Sequence, residues 1–463
     1  MSGGWRASTD VGAAPGVGGP VIPITTPDEM RRVDEAAPEP VEELVDRAGG
    51  ALARAAVDLL GGTYGRRVVV VAGPGNNGAD GRAAARRLRS EGVRVVEIEA
   101  LDAPTLLPRA DLVIDAAFGT SLNRDYVAPD PGAAPVLAAD IPSGIDGLTG
   151  AELGRAVRAQ RTVTFQALKP GLLLEPGRAA AGRVEVADIG LDVSAVEAHR
   201  VEAADVTAWV PRRRADAHKW QSALWIIAGS PGMTGAAHLA TRAALRAGAG
   251  YVRLSTPGGA GRDRAPTEAV QVSLAESDWG RTLEADRVAA AVIGPGLGPD
   301  QGRDVDAALA VLTCPVVLDG DGLTSASIDA VRARSAPTIL TPHDGEFRRL
   351  TGAAPAPDRF SAARELAAST AAIVLLKGPV TIVADPAGRV LAAAAGDERL
   401  ATAGSGDVLA GVIGALLAVD TPPVEAAAAA AHVHGLAGRA GPRVGTVAGD
   451  LPDLVAHTLS RLT

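Results

Sequence analysis

A single cysteine, Cys314, stands in 463 residues, so no disulfide framework can staple this fold. It lies in the apolar run Val311-Leu-Thr-Cys-Pro-Val-Val-Leu318, where a buried thiol is expected. Aromatic residues are scarce too, at 3%, so the cores have to be built from Ala, Val, Leu and Ile. No apolar run approaches the roughly 20 residues of a membrane span. The Gly-rich start lacks the apolar segment of a signal peptide, and residues 1–21 read as a disordered tail on a cytoplasmic protein. An excess of positive charge is also missing: the net charge of −9 argues against a nucleic-acid surface. What remains is a globular composition, 47% apolar and 21% charged, in a chain long enough for two or three domains.

The first half alternates helices and strands. Thr26 followed by Pro27 reads as a helix start, and Val41, Leu44, Val45, Ala48, Leu52 and Ala55 mark one face of a second helix over 41–60. Arg67-Val-Val-Val-Val-Ala72 is a buried-strand run, followed by the loop Gly73-Pro-Gly-Asn-Asn-Gly-Ala-Asp-Gly81 and a helix from Arg82. Further strands are expected at 93–98, 111–116, 135–140, 162–166 and 184–189. Strands alternating with helices imply a parallel, doubly wound α/β sheet, whose ligands bind beyond the carboxyl ends of the strands. The residues just after strands are Asn76, Asn77 and Asp80, then Asp115 and Gly119–Asp125, Asp140-Ile-Pro-Ser-Gly144 and Lys169-Pro-Gly171. The Gly73 loop is neither a dinucleotide fingerprint nor a Walker loop. Asparagine amides and glycine backbones suit ribose, phosphate or a weakly held monovalent cation, and the alternative is a set of plain turn residues.

These stretches, in this order, resemble the NAD(P)H-hydrate epimerase family over about residues 22–205. The resemblance implies interconversion of the R and S forms of NADHX and NADPHX. It places Asn76, Asn77, Gly78, Ala79 and Asp80 at the substrate, with Gly119, Thr120, Ser121, Leu122, Asn123, Arg124 and Asp125. It makes Asp140 the catalytic carboxylate and Asn77, Asp115 and Ser143 the ligands of a potassium ion. Ala79 and Ser121 stand where the family usually has Gly, each adding a side chain to a loop whose backbone the family's glycines leave free to take unusual angles.

Pro211-Arg-Arg-Arg-Ala-Asp-Ala217 is the linker candidate, so an N-terminal Rossmann-like domain over 22–210 and a second α/β domain over 211–463 are expected. Strands at 224–228, 252–256, 290–293, 316–319, 338–341, 373–377 and 380–384 are followed mostly by small-residue loops. The central stretch is Ala403-Gly-Ser-Gly-Asp-Val-Leu-Ala-Gly411, a loop running into an apolar helix. The free N–H groups of such a helix start suit a phosphate oxygen. Gly404, Ser405 and Gly406 would form the anion loop, and Asp407 would be a base held ionised by the helix dipole. The plainer alternative is a helix capped by Ser405 or Asp407. Lys377 and Thr381, around a Gly turn, can meet phosphate, and His343 sits in an irregular loop at a strand end. His432 and His434 read as packing residues on an Ala-rich helix.

Together these motifs resemble the ADP-dependent NAD(P)H-hydrate dehydratase family, with its ribokinase-like fold, over residues 216–463. The resemblance assigns Ala237, Gly296, His343 and Asp407 to hydrated NAD(P)H. It assigns Lys377, Gly378, Pro379, Val380, Thr381 and Gly406 to ADP, with Mg2+ accompanying the nucleotide. Trp220, Ala223 and Asp344 depart from the family pattern. Expected partners are NADHX, NADPHX and ADP, with no nucleic acid or membrane, in a homo-oligomer. The competing readings are a ribokinase-like kinase for a vitamin-type alcohol, and a dehydratase whose first domain only binds.

Overall fold

The computed structural model describes residues 22–259 and 265–463, so the tail expected over 1–21 lies outside the described residues. Two compact units are present, Ile22–Ala198 and His199–Thr463. They part upstream of the expected boundary at 210/211. Val201, Val206, Trp209 and Val210 are buried in the core of the second unit, whereas the basic stretch after them only looks like a linker.

The first unit is a six-stranded, wholly parallel sheet. Its order is Arg94–Glu99, Arg67–Ala72, Leu112–Ala116, Val136–Ala139, Arg161–Phe165 and Arg183–Ala187. Alternation along the second of these splits the core between two faces. Val68, Val70 and Ala72 pack with Leu52, Ala56, Ala84 and Leu88 of the covering helices, while Val69 and Val71 pack with Val113, Leu107 and Val136. The chain passes from the Arg67–Ala72 strand to one side and then to the other, which makes a crevice at the carboxyl ends of that strand and of Leu112–Ala116. Helix Pro27–Ala36 borders it, started by a Thr26–Glu29 capping box.

One expectation fails here. The 73–81 stretch is not a loop throughout, because a helix begins at Asn76 and runs to Ser90 with Gly75 as its N-cap. Helix and strand approach so closely that a Cβ on Gly78 would lie 1.8 Å from the Gly73 carbonyl oxygen. Gly78 is therefore the glycine that this turn requires. Ala79 and Ser121 have no left-handed backbone, so the substitutions at these two positions impose no strain of that kind.

The second unit carries a larger sheet. From one edge its order is Val270–Gln271, Tyr251–Ser255, Ala223–Ile227, Ala290–Ile293, Val316–Leu318, Thr338–Leu340, Ile373–Leu376, Thr381–Ala384 and Val390–Ala393. The first seven are parallel, and the last two pair antiparallel. The Val390–Ala393 strand escaped sequence reading. Helix Ser405–Ala418 is buried from Val408 to its end, packed against helices Thr234–Arg246 and Pro423–Ala440. Alanines 426–431 let the latter lie close to the sheet. Cys314 is half-buried rather than buried.

Candidate active sites

In the first unit a crevice of ≈ 580 Å³ opens at the carboxyl ends of the strands. Of the residues expected at substrate, Asn76, Asn77, Asp80, Gly119, Thr120, Ser121 and Asp140 line it. Leu122 instead turns into the core on the other face of the sheet, and Asn123, Arg124 and Asp125 are exposed, with Arg124 resting 5.8 Å over the Phe118 ring. Asp140 follows its strand with φ +62°, in the left-handed region. Its Oδ1 accepts from the Lys169 ammonium at 2.5 Å and from the Thr164 hydroxyl at 3.0 Å. Lys169 is 1% exposed and also donates to the Thr164 hydroxyl and the Phe165 carbonyl.

Two further carboxyls face this ion pair. Burial, with the charges of Asp140 and Asp34, pushes Asp80 up to about 8, so it holds its proton at neutral pH. Asp34, from the Pro27–Ala36 helix, is raised by burial against the pull of Lys169. Neither Asp34 nor Lys169 was read as a site residue. Only the strand-end position of Lys169 hinted at it.

Behind the crevice, the buried Asp115 accepts from the Ser143 hydroxyl at 2.7 Å and the Ser143 amide at 2.8 Å. Burial still pushes its carboxyl up to about 6 despite those bonds. Both amide atoms of Asn77 are buried without a partner. A buried carboxylate whose charge is costly and an amide oxygen with nothing to bind fit a weakly held monovalent cation.

In the second unit the chemistry gathers where Ser405–Ala418 begins. Gly404, with φ +90°, is the N-cap, and Ser405, Gly406 and Asp407 form the first helical turn rather than a loop. Neither Ser405 nor Asp407 caps the helix; the Ser405 hydroxyl donates to the Leu400 carbonyl. The N–H groups of this turn are thus left without a side-chain cap.

Lys377, half-buried in the turn between two antiparallel strands, reaches Asp319 Oδ1 at 2.5 Å, with Glu346 at 4.0 Å. A Cβ on Gly406 would sit 3.4 Å from the Lys377 Nζ, so the lysine lies beside the helix start. Thr341 also donates to Asp319 at 2.6 Å. Arg359 holds the Lys377 carbonyl at 2.8 Å. Asp407 is not favoured in its ionised form overall. Burial and the charges of Asp319, Asp321 and Glu346 outweigh Lys377 and the helix end and push it up to about 6.

His343 is the N-cap of helix Asp344–Thr351, its Nδ1 accepting from the Gly345 and Glu346 amides, and its side chain is half exposed. Ala237 is buried against Gly229, and Gly296 abuts the start of the Ala237 helix. Gly378 and Pro379 are exposed at the turn, Val380 is buried, and Thr381 opens the next strand. Asp319, Asp321, Glu346 and Arg359 were missed as site residues. The strand-end Asp319-Gly-Asp-Gly322 and the His343–Glu346 capping pattern were the available signals. His434 is buried and pushed down to about 4, with a backbone hydrogen bond to Ser405 beneath the helix start.

Comparison with known proteins agrees with this division. Residues 224–461 match the NAD(P)H-hydrate dehydratase family, and residues 41–101 and 96–171 match the YjeF-related protein N-terminus. A bifunctional NAD(P)H-hydrate repair enzyme Nnr of Mycobacterium tuberculosis is 44% identical, covering 80% of this chain and 82% of that protein. A ribokinase-like superfamily protein of Enterococcus faecalis V583 matches the fold with TM-score 0.51 at 22% identity, over 58% of this chain and 97% of its own. The ADP/ATP-dependent NAD(P)H-hydrate dehydratase of Bacillus subtilis, co-crystallised with ATP and Mg2+, matches at 31% identity and TM-score 0.49, over 57% and 98%. Among the described residues no helix is long and apolar enough to cross a membrane. With both halves matched and most of a 44% identical relative's length covered, the chain belongs to the family of bifunctional NAD(P)H-hydrate repair enzymes.

Proposed function

We propose that the second unit dehydrates the S form of NADHX and NADPHX at the expense of ADP, while the first supplies that form by epimerisation. The observation that carries this reading is the meeting of Lys377, Asp319 and Asp407 at an uncapped helix start. A hydroxyl is a poor leaving group, and phosphoryl transfer makes it a good one. Asp407 takes the hydroxyl proton as the oxygen bonds to the terminal phosphorus of ADP and the bond to AMP breaks. The amides of the 404–407 turn and the Lys377 ammonium oppose the charge on the transferring group. Loss of phosphate, with the ring nitrogen supplying electrons and the neighbouring ring carbon losing a proton, restores the dihydronicotinamide.

Four carboxylates, Asp319, Asp321, Glu346 and Asp407, face a single lysine here, an imbalance that suits Mg2+ arriving with the nucleotide. Magnesium supplies charge neutralisation on the phosphate oxygens, and Asp319 and Asp321 would be its neighbours. In the first unit, Asn77, Asp115 and Ser143 would hold potassium, which supplies fixed positive charge behind the crevice, and Asp140 serves as the base. Purified full-length chain given S-NADHX and ADP should generate NADH absorbance together with AMP and phosphate. Absence of NADH with both ADP and ATP would sink the dehydratase assignment. R-NADHX left unconverted to the S form would sink the epimerase assignment.

A further inference from the structure

We propose that Asp80 is the general acid of the epimerase unit, working across the crevice from the Asp140 carboxylate. This inference rests on the epimerase reading above. Both residues line the same crevice, beside the buried Lys169, but their surroundings differ. Asp140 is engaged by the Lys169 ammonium and the Thr164 hydroxyl. Asp80, 7% exposed, has no hydrogen bond or ion pair at its carboxyl among the described residues. A buried carboxyl without a partner is stable only as the neutral acid, which can donate. The groups around it enforce that state. Asp34 on the Pro27–Ala36 helix and Asp140 both face it with negative charge, and Lys169 offsets them only in part. Two carboxyls in one crevice, one neutral and one ion-paired, form an acid and a base.

The chemistry needs this pair. In hydrated nicotinamide the hydroxyl sits on the carbon next to the ring nitrogen. The Asp80 proton passes to that hydroxyl, the C–O bond breaks, water leaves, and the nitrogen lone pair forms a C=N bond. Water then attacks the opposite face of the same carbon, a new C–O bond forms, and the surplus proton goes to Asp140. The ring has changed hand, one water has left and one has entered, and a proton has moved from Asp80 to Asp140. Return of that proton through solvent resets the site, and the swapped pair runs the reverse reaction.

The test uses the full chain, with R-to-S conversion followed as a function of pH. Wild type should lose epimerase kcat on the alkaline side as Asp80 ionises. Asp80→Asn should lower kcat by about 10²- to 10⁴-fold and abolish the alkaline limb, with turnover of S-NADHX by the second unit unchanged. Asp34→Asn removes a negative charge facing Asp80 and should move the alkaline limb to lower pH, a readout that stands even if Asp80→Asn folds poorly. An Asp80→Asn enzyme with wild-type rate and limb overturns the proposal, as does an Asp34→Asn limb that stays in place. A wild-type chain that does not interconvert R and S forms overturns the epimerase reading, and this role with it.

Discussion

The pH dependence of the dehydratase unit follows from one crowded helix start. The helix dipole alone would favour the charged form of Asp407, yet burial and three carboxylate neighbours push it up to about 6. A group with this raised affinity acts as a base only above that value. At about pH 5 roughly one tenth of it is ionised, whereas an unperturbed carboxylate near 3.9 would be more than about nine-tenths ionised. The kcat/KM for S-NADHX with saturating ADP should therefore fall about 10-fold between about pH 8 and about pH 5, read as initial NADH formation. Glu346→Gln keeps the capping pattern at His343 but removes a negative charge felt by Asp407. Its acid limb should move to lower pH by about half to one unit. Asp407→Asn should cost about 10²- to 10⁴-fold. A flat profile down to about pH 5, or a Glu346→Gln limb moving upward, would refute the assignment of Asp407 as the base.

Three other outcomes can be checked. Gly78→Ala places a Cβ 1.8 Å from a carbonyl oxygen, and thermal unfolding should report a loss of at least about 1–3 kcal/mol in the first unit. Asp80, raised to about 8 in the fold, contributes its full share of stability only below about pH 4 and loses it as pH rises to about 8. The Tm of Asp80→Asn should accordingly gain on wild type across that interval. Asn77→Ala removes the amide with no partner beside Asp115 and should weaken the response of epimerase activity to added potassium over sodium.

The alternation of strands and helices, the helix start at Thr26-Pro27 and both sheets were legible because each is written in local sequence pattern. The starts of the functional helices were not. Asn76-Asn-Gly78, Gly404-Ser-Gly406 and Gly320-Asp-Gly322 are turn formers by composition, yet each lies at or within the first turn of a helix. Packing and sheet geometry decide this: a Cβ would lie 1.8 Å from the Gly73 carbonyl oxygen at Gly78 and 2.6 Å from the Ile293 carbonyl oxygen at Gly322, so close approach of backbone to backbone calls for the small residues there. The partners of the reactive groups were hidden for a different reason. Lys169 meets Asp140 across 29 residues and Lys377 meets Asp319 across 58, and no spacing rule announces such pairs. The state of Asp407 was misjudged because the dipole is visible in sequence and the encircling carboxylates are not.

Helix Ser405–Ala418 carries Asp407 at one tip and is gripped along the rest of its length. A Cβ on Gly411 would lie 2.1 Å from the Ala240 carbonyl oxygen, and one on Gly414 would lie 2.5 Å from Val292. The helix thus behaves as a rod clamped at its middle, and any shim inserted there displaces the tip. Gly414 lies about 10 Å along the axis from Asp407, buried against Val292 and Leu224 of the core. A methyl group at that site should nevertheless appear as lost kcat with little change in KM, since misplacement of reacting groups by about 1 Å can cost about 10²-fold. The freedom of these glycines to vary is set by the tolerance of the reaction for misalignment, and not only by the space around them.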